Sequence, residues 1–180
     1  MRKPDTLLRL RHKHAPGPRR DSAADAQALL EDQSFKSALY GALLAVAILN
    51  VVWVATGMLF DRFFPWFSVV QGFFVGRAVQ HFGCGVDWRF PVLAACAAVV
   101  GAFTGSFLSA LFLSGREFDT GALPLVAEIS WHTVKTFATQ KFGAVGTIYA
   151  GMAAALAAFY AGRRLQRHEA IALRKHREER

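Results

Sequence analysis

None of the four long apolar runs in this sequence contains an aspartate or a glutamate. Carriers coupled to protons or cations need an acid at membrane depth, so that class is disfavoured. Cysteine is nearly missing too. Cys84 and Cys96 form no CxxC pair, which removes a disulfide framework. His81 and Cys84 are close, but a closed zinc site wants four ligands and no second pair stands at suitable spacing. There is no HExxH, no Ser/His/Asp pattern and no phosphate-binding loop, so neither an enzyme nor a bound cofactor is expected. The period-2 alternation of barrel strands is absent as well. Finally, about 36 mostly polar residues precede the first apolar run, whereas a secretory signal has a short basic stretch directly before its apolar core. The first apolar run is therefore expected to remain as a membrane anchor.

What is present is apolar length with its charge pushed to the ends. Residues 1–36 hold eight Lys/Arg against five acids, and residues 163–180 hold seven against three. Basic segments flanking apolar runs read as topology signals and as contacts to anionic lipid headgroups, not as a nucleic-acid surface. A helix needs roughly 20 apolar residues to cross about 30 Å of hydrocarbon. Four segments meet that length, at about 37–60, 63–81, 91–114 and 142–162. The expected fold is an all-α membrane protein with four transmembrane helices. Asp61 and Arg62 alone would join the first two, with Pro65 in the opening turn of the second. Gly83 and Gly85 would supply the turn conformations of the next short connection. An even number of spans puts both basic tails on one side, and the positive-inside rule makes that side the cytoplasm.

Between the third and fourth spans, Val126, Ile129, Val134 and Phe137 recur at near-helical spacing beside Trp131. They predict an amphipathic helix at about 122–139, lying in the outer interface or packed on the outer ends of the spans. Glu128 and His132 would share a face of it, as surface groups. The basic tail at 1–36 contains Ser22 and Asp25 at capping-box spacing, which predicts a short helix before the first span. Residues 163–180 are charged and helix-permissive, and are expected to continue the last span into the cytoplasm.

Small residues at four-residue spacing mark three of the spans. Gly72 and Gly76 do so in the second, and Ala97, Gly101, Gly105 and Ser109 in the third. The fourth carries two such stripes, Gly146, Ala150, Ala154 and Ala158 on one face and Gly143, Thr147, Gly151 and Ala155 on another. Lipid supplies little hydrophobic drive between helices, so close approach at small residues holds a bundle together, or binds another chain. Asn50, Thr56 and Gln71 are polar groups at membrane depth, suited to interhelical hydrogen bonds or to a polar path. At the cytoplasmic turn, Arg77, His81, Trp88 and Arg89 predict a contact to anionic headgroups or a partner, with Asp87 paired to Arg77 or Arg89. Cys96, inside the third run, is expected to be an inert packing residue.

The stretch 73–108, FFVGRAVQHFGCGVDWRFPVLAACAAVVGAFTGSFL, resembles a two-span, glycine-striped unit of uncharacterised bacterial inner-membrane proteins. The likeness falls on Gly76, Arg77, Gly83, Gly85, Arg89, Phe90, Gly101 and Gly105, and the last span is similar to the final span that follows in such proteins. Cys84 and Asp87 depart from that pattern. The resemblance implies a bacterial inner-membrane setting and no activity. The expected function is a non-enzymatic accessory, assembly or scaffold protein that packs against itself or another membrane protein. The alternative is a small oligomeric pore or exporter with Asn50, Thr56 and Gln71 along its path.

Overall fold

The computed structural model describes residues 32–117, 124 and 129–162. The helix expected from Ser22, most of the basic tail, Glu128 and the charged segment 163–180 lie outside these. The described residues are all-helical: α1 (Phe35–Phe60), α2 (Phe67–Gly83), α3 (Arg89–Glu117), α4 (Trp131–Thr136) and α5 (Gly143–Ala161), with a π-helical turn at Phe137–Phe142 before α5. Three of them, α1, α3 and α5, are long and apolar enough to cross a membrane. α2 has 17 residues, about 26 Å at the usual helical rise and short of a bilayer core of about 30 Å.

The helix boundaries follow from local chemistry. Ser34 caps α1, its hydroxyl accepting from the Ser37 N–H at 3.3 Å, so α1 starts two residues before the expected Ser37. At the other end Asp61 turns left-handed (φ 51°) and donates its N–H to the Gly57 carbonyl. The expected start of the second helix at 63 is wrong by four residues. The carbonyls of Phe64, Pro65 and Trp66 accept from the N–H groups three residues on, at 3.1, 3.4 and 3.0 Å, and this tight turn around Pro65 precedes α2 instead of opening it. The connection is thus Asp61–Trp66, not two residues.

α2 and α3 each pack against all three other long helices, whereas α1 and α5 flank them and their Cα atoms nowhere come within 8 Å of one another. Chain direction alternates. The Ser34 N–H donates to the Gly83 carbonyl at 3.1 Å, and Gln80 Nε2 donates to the Gly162 carbonyl at 2.9 Å. The start of α1, the end of α2 and the end of α5 therefore lie at one end of the bundle. At the opposite end Arg116 donates to the Met58 carbonyl at 2.7 Å, satisfying one of the acceptors that a helix C-terminus leaves open.

The core is made of small groups: Ala38 and Ala42 from α1, Val75 and Val79 from α2, Ala94 and Ala98 from α3, and Ala153, Ala157 and Ala161 from α5, closed by Phe90. The large aliphatic side chains point the other way, Leu43, Ile48 and Val51 from α1, Val99 and Val100 from α3, and Ile148 and Met152 from α5 all being exposed. A chain folding in water hides such groups. Small inside and large apolar outside is the distribution expected where the surroundings are themselves apolar.

The segment before α5 differs from the single amphipathic helix expected over 122–139. Among its described residues Pro124 is helical, Ile129 and Ser130 are not, and the helix resumes at Trp131, where Ser130 and Thr133 form a reciprocal capping box. Phe137, at the start of the π-helical turn, is buried edge-on against Phe107 and Phe103, with ring centroids 5.1 and 5.8 Å apart. The described part is therefore fixed to α3 through Phe137. Trp131 points away and is exposed, as is His132.

Candidate functional site

Two of the expected glycine pairs mediate helix contact. A Cβ on Gly76 would lie 2.6 Å from the Ala157 carbonyl oxygen, and one on Gly72 would overlap the backbone of Ala153. α2 and α5 thus touch backbone to backbone, an approach that any larger residue prevents. Gly101 and Gly105 serve a different purpose. A Cβ on Gly101 would meet Gln71 Nε2 at 2.7 Å, and one on Gly105 would meet Trp53 Cε3 at 2.6 Å and Asn50 Oδ1 at 2.7 Å. These glycines make room on α3 for side chains of α1 and α2. Gly151 takes no part in packing within the bundle: it is exposed and nothing lies within 4 Å of where its Cβ would stand. The buried stripe of α5 is Ala150, Ala153, Ala157 and Ala161. It has the mixed three- and four-residue steps of a 3.6-residue helix, not the strict four-residue spacing of either expected stripe.

At mid-bundle, Gln71 Nε2 donates to Asn50 Oδ1 at 2.8 Å, and Asn50 Nδ2 donates to Thr104 Oγ1 at 2.9 Å. Thr104 Oγ1 in turn donates to the Val100 carbonyl at 2.8 Å. One polar residue from each of α1, α2 and α3 is thereby joined, with Gln71 fully buried. Asn50 and Gln71 come together as expected, and Thr56 does not join them: its hydroxyl donates back to the Val52 carbonyl of its own helix at 2.7 Å. Thr104 takes that place. It was missed because no local signal separates it from other threonines, its role depending on a residue 54 positions away. Trp53 Nε1, Gln71 Oε1 and Ser109 Oγ are buried with no hydrogen-bond partner among the described residues, so the interior between α1, α2 and α3 carries unused polar capacity.

At the end of the bundle that holds Ser34 and Gly162, an open cavity of about 630 Å³ is lined by Phe73, Phe74, Arg77, Gln80, His81 and Cys84. The guanidinium of Arg77 sits 5.8 Å from the Phe73 ring centroid and 5.4 Å from that of Tyr160, close enough for cation–π attraction. It also donates to Gln80 Oε1 at 3.0 Å. Of the four residues expected at this turn, Arg77 and His81 share the cavity. Arg89 and Trp88 do not line it, and both are exposed at the start of α3. Phe73 and Gln80 stand at helical spacing from Arg77 and were legible as neighbours. Tyr160 arrives from α5 and was not.

Two other expectations are corrected. Cys84, not a neighbouring glycine, adopts the left-handed conformation that ends α2 (φ 46°). Gly83 and Gly85 are required for space, since a Cβ on either would collide with the Phe90 ring. Cys96 lies on the outer surface of α3 and packs nothing inside the bundle.

The three long apolar helices and the outward-facing aliphatic groups are consistent with a multi-pass membrane protein. No family model matches the chain, nor does any curated protein or solved structure.

Proposed function

We propose that the chain is a four-span protein of the bacterial inner membrane, with both termini cytoplasmic, acting as a non-enzymatic accessory or assembly component through helix packing. α2 serves as the fourth span in this reading. It packs against three apolar helices at once, and a helix so enclosed lies at their depth whatever its own hydropathy. Phe63, Phe64, Pro65 and Trp66, ahead of its first turn, make up the missing length. The common end of Ser34 and Gly162 leads to the two basic tails and is assigned to the cytoplasm by the positive-inside rule. The opposite end, with α4 and the π-helical turn, then faces outward, with Trp131 at headgroup depth.

The observation that carries the functional reading is the division of labour on α5. Its alanine stripe is spent on the bundle, while Thr147, Gly151 and Ala155 form a second small-residue face that is exposed. Such a face admits another helix at close range. The rival reading, a small pore or exporter, needs Asn50, Thr56 and Gln71 along an open path. Two of these are bonded to each other and the third to its own helix, which favours packing.

The test is purification in a mild detergent with the mass of the intact complex determined. A stoichiometric partner or second copy should be bound, and Gly151→Leu, whose new side chain meets nothing in the bundle, should release it without lowering thermal stability. A monomer with no partner that makes liposomes leaky to a small solute, with the leak lost in Asn50→Leu, would instead establish the pore.

A further inference from the structure

We infer that the cavity around Arg77 binds one anionic phospholipid, its phosphate held by Arg77 and its acyl chain laid on the phenyl groups of Phe73 and Phe74. The inference rests on the membrane reading above. Along α2 the lining runs from Phe73 and Phe74 through Arg77 to Gln80, His81 and Cys84 at the helix end. About 1.5 Å of rise per residue separates Phe74 from His81 by roughly 10 Å. The apolar part therefore lies deeper in the bundle and the polar part at its end, the order in which a lipid presents chain and headgroup.

Arg77 is built into this cavity. Two rings in edge-on contact with each other, Phe73 and Tyr160 with centroids 4.8 Å apart, stand together on one side of its guanidinium, Gln80 accepts one of its N–H groups, and Gln80 is itself tied to the Gly162 carbonyl. Rings and an amide orient the group but leave its positive charge in place. An arginine held this way loses less freedom on binding than a mobile lysine, and its planar fork matches two phosphate oxygens. His81 adds an imidazole on the same wall. A free phosphate ion would use the guanidinium but gain nothing from the phenyl wall, so the complementarity favours an amphiphile.

The experiment is native mass spectrometry of the full-length protein in neutral detergent, with added phosphatidylglycerol, phosphatidylcholine or inorganic phosphate. One phosphatidylglycerol should be retained per chain in preference to phosphatidylcholine, and inorganic phosphate should not displace it. Arg77→Gln should weaken retention about fivefold to tenfold, Arg77→Lys should restore part of it, and Arg89→Gln should leave it unchanged. Equal retention in wild type and Arg77→Gln would overturn the proposal. An equal loss in Arg89→Gln would also do so, since it would mean diffuse surface charge, and displacement by inorganic phosphate would make the ligand a free anion. Alkaline extraction of native membranes separates this from the parent reading: protein stripped from the membrane sinks both, whereas protein that stays but does not distinguish the two lipids sinks only the site.

Discussion

At Cys84 the backbone pays a steric cost that a glycine would not. A side chain in the left-handed region costs roughly 1–2 kcal/mol, and glycine gives back about half of that through its freer unfolded chain. The thiol recovers little, since its nearest acceptor is the His81 carbonyl at 3.8 Å. Cys84→Gly should therefore stabilise the protein by about 0.5–1 kcal/mol, seen as a rise of roughly 2–4 °C in the melting temperature in detergent. A lower melting temperature would mean that the thiol has a structural partner in the membrane. The same turn shows how far single residues can be read from sequence. Sequence predicts glycine there for torsional freedom, whereas the demand comes from a phenyl ring 5 residues beyond Gly85. Torsion is a local property that a sequence advertises, whereas a collision depends on what folds back. Asn50 and Gln71 were legible for the opposite reason: an amide in an apolar run must find a partner, and two such amides on adjacent helices are natural partners for one another.

Among the elements, the long helices were legible because an uninterrupted apolar run leaves the backbone no other way to satisfy its hydrogen bonds in lipid. The start of α2 and the form of the segment before α5 were not, because both depend on turns that hydropathy does not register. Gly143 is the pivot of the second. Its conformation, φ 47° and ψ −153°, belongs to a region essentially closed to other residues, and it joins the π-helical turn to α5 with nothing crowding it. Gly143→Ala should cost about 1–3 kcal/mol. The loss should be local, appearing in hydrogen–deuterium exchange as faster exchange over 131–146 while α1 and α2 keep their protection. Uniform loosening of all the helices would show that the segment is integral to the bundle and not an attachment held by Phe137.

For the molecule as a whole, the proposed topology makes a simple demand on single cysteines introduced into a protein whose own two are replaced by serine. Probes at Asp32 and Gly162 should label from the same side of the membrane, and probes at Arg62 and Trp131 from the other. Labelling of Asp32 and Gly162 from opposite sides would break the four-span reading. The pairing of α2 with α5 also bears on how the protein is made. Gly72 and Gly76 seat against Ala153 and Ala157, and α5 begins at Gly143, 60 residues after α2 ends at Gly83. At about 5–20 residues per second, a ribosome takes roughly 3–12 s to cover that distance. In the proposed four-span topology the shortest of the four long helices waits for that time with its glycine face bare and only its α1 and α3 neighbours to hold it. Translation halted before Ala153 should thus leave a three-helix species that membrane quality-control proteases recognise, so the nascent chain is at its most vulnerable until its last helix arrives.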